Sequence, residues 1–318
     1  LPFGQDVLVW CVTVPVILSL LAATFARVCE AKRVGVGLFG GELISGLGWC
    51  LALLVALAAR RQWQWMPEEF WQTAWWAMLA AAVLLSNQRE ISVRHPLRGT
   101  RPSGALHKRY RTLISRTILS RAADKKLANH SPASRWVVAG LLAMFLAWLA
   151  LPSDESWQDM FPFHRNWMAA VSASALVNAW AMDQHARSGG RRWSLWIVIA
   201  GLGGPFALAA ATYGALSEWT LAAIASTIVF AIVGSFSAAV SSWSVAFPAL
   251  FFHASMTAAA RFYSYEEYPA WMYAVVLFSP TVVVMADLPL RNQTARRRIL
   301  SSAMIAAMLL GLCIWQIL

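Results

Sequence analysis

Glu42, Asn178 and His253 stand well inside long apolar stretches of this chain. An ionisable group at membrane depth is costly, so it faces protein or a water-filled path and marks a functional position by default. Glu42 lies among glycines, at 35, 37, 40, 41, 46 and 48, which let a second helix or a ligand come close. It reads as a proton site, or as a neutral group bonded to the next helix. His253 follows Pro248 and precedes Ser255 and Thr257. Imidazole titrates near neutral pH, though a lone histidine also serves as a packing residue. Asn178 has Ser174 one turn before it, a pattern that suits helix–helix hydrogen bonding. The run Gly201-Leu202-Gly203-Gly204-Pro205 predicts a break or kink, because proline lacks an N–H and crowds the carbonyl one turn back. Broken helices line substrate sites in transporters, and they also occur as plain kinks.

No lysine falls inside an apolar stretch, so a retinal Schiff base is excluded. There is no HExxH, CxxC or Walker-type loop, and no histidine pair placed to hold a haem. The chain therefore predicts no catalytic residue, no metal and no cofactor, and leans away from an enzyme.

The elements that must position these groups follow from composition. The chain is 59% hydrophobic and 13% charged, against roughly 25% charged in a soluble domain. A span needs about 20 apolar residues. Ten stretches qualify: 6–26, 34–59, 71–87, 136–151, 167–183, 193–215, 219–241, 244–260, 271–287 and 299–318. The fold class expected is all-α, a polytopic membrane bundle of about ten helices. It divides into helices 1–3 (residues 1–87), a basic loop (88–135) and helices 4–10 (136–318). Many of the eighteen tryptophans flank the spans, where the indole ring is apolar and its N–H reaches water. Five spans in each half would allow an inverted repeat. Pro15 in the first span and Pro205 in the sixth are its one visible echo. Counted along their own spans, Glu42, Asn178 and His253 lie at similar depth, about 9 to 13 Å from the same side. They would meet if spans two, five and eight adjoin.

Charge orients the bundle. Of the 26 Lys and Arg residues, 22 fall on one side of the ten-span arrangement and 4 on the other. The basic side is cytoplasmic, which places both termini on the non-cytoplasmic side, as in a bacterial inner-membrane protein. The charge sits in short blocks between apolar spans, which argues against nucleic acid. In the basic loop, Leu106, Tyr110, Leu113, Ile114 and Ile118 share a helical face, with Lys108, Arg109, Arg111 and Arg116 on the other. Such a helix rests on anionic lipid or grips a protein partner. Two functions follow as expectations: a carrier or permease for a small solute, proton-coupled through Glu42, or a non-catalytic subunit of a larger complex.

The orientation makes a direct prediction. In intact cells, a cysteine at Ser103 resists an impermeant thiol reagent and one at Ser156 reacts; the reverse pattern overturns the side of every loop.

Overall fold

The computed structural model describes residues 4–31, 41–60, 74–86, 132–151, 161–186, 193–236, 242–263, 268–290, 293 and 295–317. Among these there is helix and no strand. The order is α1 (Gln5–Leu8), a π-helical turn (Val9–Thr13), α2 (Val14–Ala31), α3 (Gly41–Ala59), α4 (Ala74–Ser86), α5 (Pro132–Ala150), α6 (Phe161–His185), α7 (Ser194–Thr212), α8 (Gly214–Phe236), α9 (Ser242–Phe262), α10 (Ala270–Asp287), a 3-10 turn (Leu288–Leu290) and α11 (Ala295–Ile317). Each of the ten apolar stretches thus carries helix. Five helical stretches are long and apolar enough to cross a membrane: Gln5–Cys29, Gly41–Ala59, Ser194–Thr212, Gly214–Phe236 and Ala270–Leu290. In hydrocarbon a helix is the one open-chain form that satisfies its own backbone, and these runs are rich in Leu, Ala, Val and Ile.

The chain divides into two compact units, residues 1–87 with 139–318, and residues 88–138. All the helices but the start of α5 belong to the first unit. The expected amphipathic helix of the basic loop, with Lys108, Arg109, Arg111 and Arg116, lies outside the described residues.

Helix α9 is the axis of the first unit. Every residue from Ser244 to Ala260 is buried, and the helix packs on α3, α4, α6, α7, α8 and α10. A helix surrounded by protein has no need of an apolar stripe, so its serine, threonine and histidine residues are admitted at depth. Around it, α2, α3, α4 and α8 adjoin on one flank and α6, α7, α10 and α11 on the other, with α7 also packed on α8. The inverted repeat is not reproduced in this packing. Helix α7 packs on α10 and α11, whereas its counterpart α2 makes no substantial contact with α5 or α6 among the described residues.

Glycine sets the closest approaches. A Cβ added at Gly48 would lie 2.3 Å from Ala22 Cβ, and one at Gly46 would lie 2.7 Å from the Ser244 carbonyl oxygen. The first contact joins α2 to α3 and the second joins α3 to α9. Thr227 completes the α3–α8 seam: its hydroxyl donates to the Ala223 carbonyl at 2.6 Å and accepts from Trp49 Nε1 at 3.0 Å.

The break expected at Gly203 and Gly204 is absent. Helix α7 runs unbroken from Ser194 to Thr212 with Pro205 inside it. It ends instead at Tyr213, whose extended backbone turns the chain directly into α8. The irregularity falls in the first span, where the Val14 N–H reaches back five residues to Val9 and the Thr13 hydroxyl bonds the Leu8 carbonyl at 3.2 Å. The wider turn ends next to Pro15, whose ring would crowd the Cys11 carbonyl in a regular helix.

The packing predicts opposite signs for two glycine substitutions. Gly48→Ala forces Ala22 aside and destabilises by about 1–3 kcal/mol, the range for overpacking. Gly140→Ala, with open space around its Cβ, gains up to about 1 kcal/mol of helix propensity. Thermal unfolding in detergent measures both.

Candidate functional site

Three helices carry an internal proline: Pro205 in α7, Pro248 in α9 and Pro280 in α10. Each frees the carbonyl four residues back, which is Gly201, Ser244 and Val276. Lipid offers such a group no donor. The structure answers all three with neighbouring helices. The Ser244 oxygen lies against Gly46, close enough for a Cα–H contact. The other two share one side chain, because the ring of His253 faces the backbone carbonyls of both Gly201 and Val276. Its Nδ1 makes no bond of full geometry. Nε2 lies 3.4 Å from Ser279 Oγ.

The same crossing is packed to contact. A Cβ at Gly201 would meet Pro280 Cγ at 2.9 Å, and one at Gly204 would meet Val276 Cγ1 at 2.8 Å. Gly203 turns the other way, with Leu310 of α11 its nearest neighbour, at 3.9 Å. Helices α7, α9 and α10 therefore join at one junction, with Pro205, Gly201, Gly204, His253, Val276, Ser279 and Pro280 in it.

Asn178 reaches the junction from α6. Its Nδ2 donates to the Leu277 carbonyl at 2.8 Å, while its Oδ1 accepts from the Thr281 N–H at 3.2 Å and from the Thr281 hydroxyl at 2.6 Å. Leu277 C=O and Thr281 N–H are the two groups a regular helix joins to each other. The asparagine amide engages both, at the pair one residue on from the Val276–Pro280 pair that the proline disrupts. On another face of α10, between it and α7 and α11, Ala200, Gly204, Val276, Ser279, Val283, Ala306 and Leu310 line a cavity of about 10 Å³, room for about one water.

Asn178 and His253 thus meet at the middle of α10. Glu42 does not join them. It stands half-buried in the first described turn of α3. Gly46, one turn on, is level with Ser244, and His253 lies nine residues further along α9, about 13 Å at 1.5 Å per residue. Helix α9 adjoins both α3 and α6, but α3 and α6 make no substantial contact with each other among the described residues.

The two ends of the bundle hold charges that the apolar pattern did not single out. At one end Arg60 of α3 pairs with Glu218 of α8 through Nε–Oε2 at 2.9 Å and Nη2–Oε1 at 3.0 Å. Aromatic contacts accompany it: Tyr213 stacks on Tyr263 at 5.4 Å, and Trp167 meets Phe262 and Tyr273 edge-on. At the other end α6 and α10 finish and α11 begins. There His185 Nε2 lies 2.7 Å from Asp287 Oδ2. Arg298 grips the same carboxylate with both arms, Nε to Oδ1 at 2.9 Å and Nη2 to Oδ2. Burial, the larger effect, holds the His185 ring below the ordinary histidine range, against the pull of Asp287; the ring is therefore neutral at pH 7. Span boundaries carried a usable signal, since Asp183, His185, Asp287 and Arg298 all fall within a few residues of the same margin of the ten-span pattern.

Comparison of the chain with protein-family models, with curated proteins and with solved structures gives no match.

Asn178→Leu removes three contacts across the α6–α10 seam and lowers stability by about 1–2 kcal/mol, the range for interhelical bonds in membranes. Asn178→Asp does no better, because a carboxylate cannot donate to the Leu277 carbonyl. Ser172→Ala, which loses one bond of 3.3 Å to Ala143, costs less than about 0.6 kcal/mol. Detergent unfolding midpoints of the three variants give the order.

Proposed function

We propose that the chain is a multi-pass carrier for a small solute, coupled to protons, with ten spans and both termini on the outer side of a bacterial inner membrane. The observation that carries this reading is the junction at the middle of α10. Three proline-bearing helices meet there around a histidine, with an asparagine placed to hold both ends of a helical bond. A helix whose backbone is supported from outside can flex at that point without stranding a polar group, as alternating access requires.

The end contacts support the ten-span parity. Helices α6 and α10 run the same way, since Asn178 and His185 on one face Leu277–Thr281 and Asp287 on the other, seven residues apart on α6. The Arg60 pair joins the finish of one expected span to the start of another. The His185 end belongs to the basic, cytoplasmic side. A tie at each end and a water-sized cavity between them suit a carrier closed on both sides.

The small cavity also favours a second reading, a non-catalytic subunit whose polar groups are bracing only. Lys108, Arg109, Arg111 and Arg116 would then grip a protein partner rather than anionic lipid.

Reconstitution separates the two. In liposomes loaded with a pH dye, addition of one solute class (amino acids, sugars, carboxylates or organic cations) to the purified protein moves protons. Glu42→Gln keeps its hydrogen bonding and loses that movement. Stoichiometric co-purification of a partner, with no solute response, favours the subunit and overturns the carrier.

A further inference from the structure

The His185–Asp287–Arg298 cluster has no part in the junction, yet it ties three helices. Asp287 is 3% exposed and His185 fully buried. One carboxylate there serves two basic side chains from different helices, His185 from α6 and Arg298 from α11. A well-packed apolar contact would hold the ends as firmly, because desolvating two charges offsets most of their attraction. What a buried ion pair adds is the ability to change partners.

We propose that this cluster is a proton-binding latch: a proton taken up by His185 displaces Arg298 from Asp287 and releases the first turn of α11 from α10. The proposal rests on the carrier reading for its purpose, which is to admit solute from the basic side, but its test needs no solute.

The charge arithmetic is local. In the closed form Asp287 and Arg298 cancel and the imidazole is neutral, donating Nε2–H to the carboxylate. A proton from the aqueous side bonds to the second ring nitrogen. The buried cluster then holds two positive groups and one negative, with Arg298 Nη2 only 3.3 Å from His185 Nε2. Like charges at that distance are unfavourable. His185 is fixed within α6 and cannot leave. Arg298 sits three residues into α11, is 12% exposed, and can swing to water or to lipid phosphate. The imidazolium–carboxylate pair left behind is again neutral. Among the described residues, Asp287 and Arg298 are the charged groups that act on the ring. Asp183, buried two residues earlier on α6, is not among them, and Arg297 bonds Gln293 at the surface.

The sign follows from linkage. The ring binds protons more weakly in the closed form than in water. Acid therefore favours the form in which it is charged, and the latch opens as pH falls.

Once its first turn is released, α11 swings as a rigid rod and uncovers the cavity that Ala306 and Leu310 close further along the helix. Val283 lines that cavity, one turn from Asp287, and is 1% exposed. The experiment places a cysteine at Val283 in the full-length protein with Cys11, Cys29, Cys50 and Cys313 replaced, in lipid nanodiscs. Its rate with a small thiol reagent is taken relative to a cysteine at exposed Gln293, which cancels the pH dependence of thiol chemistry. Between about pH 7.5 and pH 5.0 the relative rate rises severalfold, because proton uptake favours the open form. His185→Gln, which keeps a donor to Asp287 but cannot charge, stays slow at both pH values. Arg298→Gln is fast at both.

A pH-independent rate in the parent protein overturns the latch, as does retention of the pH response in His185→Gln. If labelling behaves as expected while no solute moves protons in liposomes, the latch stands and the carrier reading alone fails.

Discussion

A proline inside a buried helix leaves a carbonyl that no water can reach, and α7, α9 and α10 each carry one. Each unmet acceptor in hydrocarbon would cost several kcal/mol. The solution is to bring a second helix to each. Gly46 lets α3 touch the Ser244 carbonyl, and His253 serves Gly201 and Val276 together. Removal of one partner would therefore loosen more than one seam. The continuous α7 follows from the same fact: a freed carbonyl that already faces an imidazole gives the helix no reason to break.

This constraint also explains the place of α9. It supplies the imidazole, so it has to reach α7 and α10 at once while keeping α3 at its start. Only a helix enclosed on all sides does that, and α9 is buried from Ser244 to Ala260. Of its polar side chains Thr257 bonds locally, to the His253 carbonyl at 2.8 Å. Thr227 and Ser235 of α8 do likewise, to the Ala223 and Ala231 carbonyls. Such back-bonding makes a polar-looking face a packing surface.

The ends obey a different rule, since water and headgroups are near. There, charge is tolerable and tends to pair, and the described residues show Arg60 with Glu218 at one end and Asp287 with His185 and Arg298 at the other. The two ties involve separate helices, α3 with α8 and α6 with α10 and α11. One could therefore loosen while the other holds. In the carrier reading this independence is what alternating access needs, and Asn178 together with His253 keeps the middle of α10 supported throughout.

Much of the architecture was legible in the residues. Ten apolar stretches predicted where helix lies, because hydrophobicity and length are local properties of a chain. Asn178, His253, Gly204 and Pro205 stood out for the same reason: a polar group, or a missing N–H, inside an apolar run is visible without knowing its neighbours. Their convergence was not visible. Glu42 counted as deep as His253 along its own span, yet it stands about two helical turns or more from it, because depth along a sequence says nothing of how helices are staggered. The unbroken α7 was hidden too, since a proline inside an apolar run does not say whether the helix breaks there or continues. His185, Asp287 and Arg298 looked like ordinary boundary charges. Which charge at a boundary is solvated and which is buried depends on which helices end side by side, and that is decided by packing between segments more than a hundred residues apart.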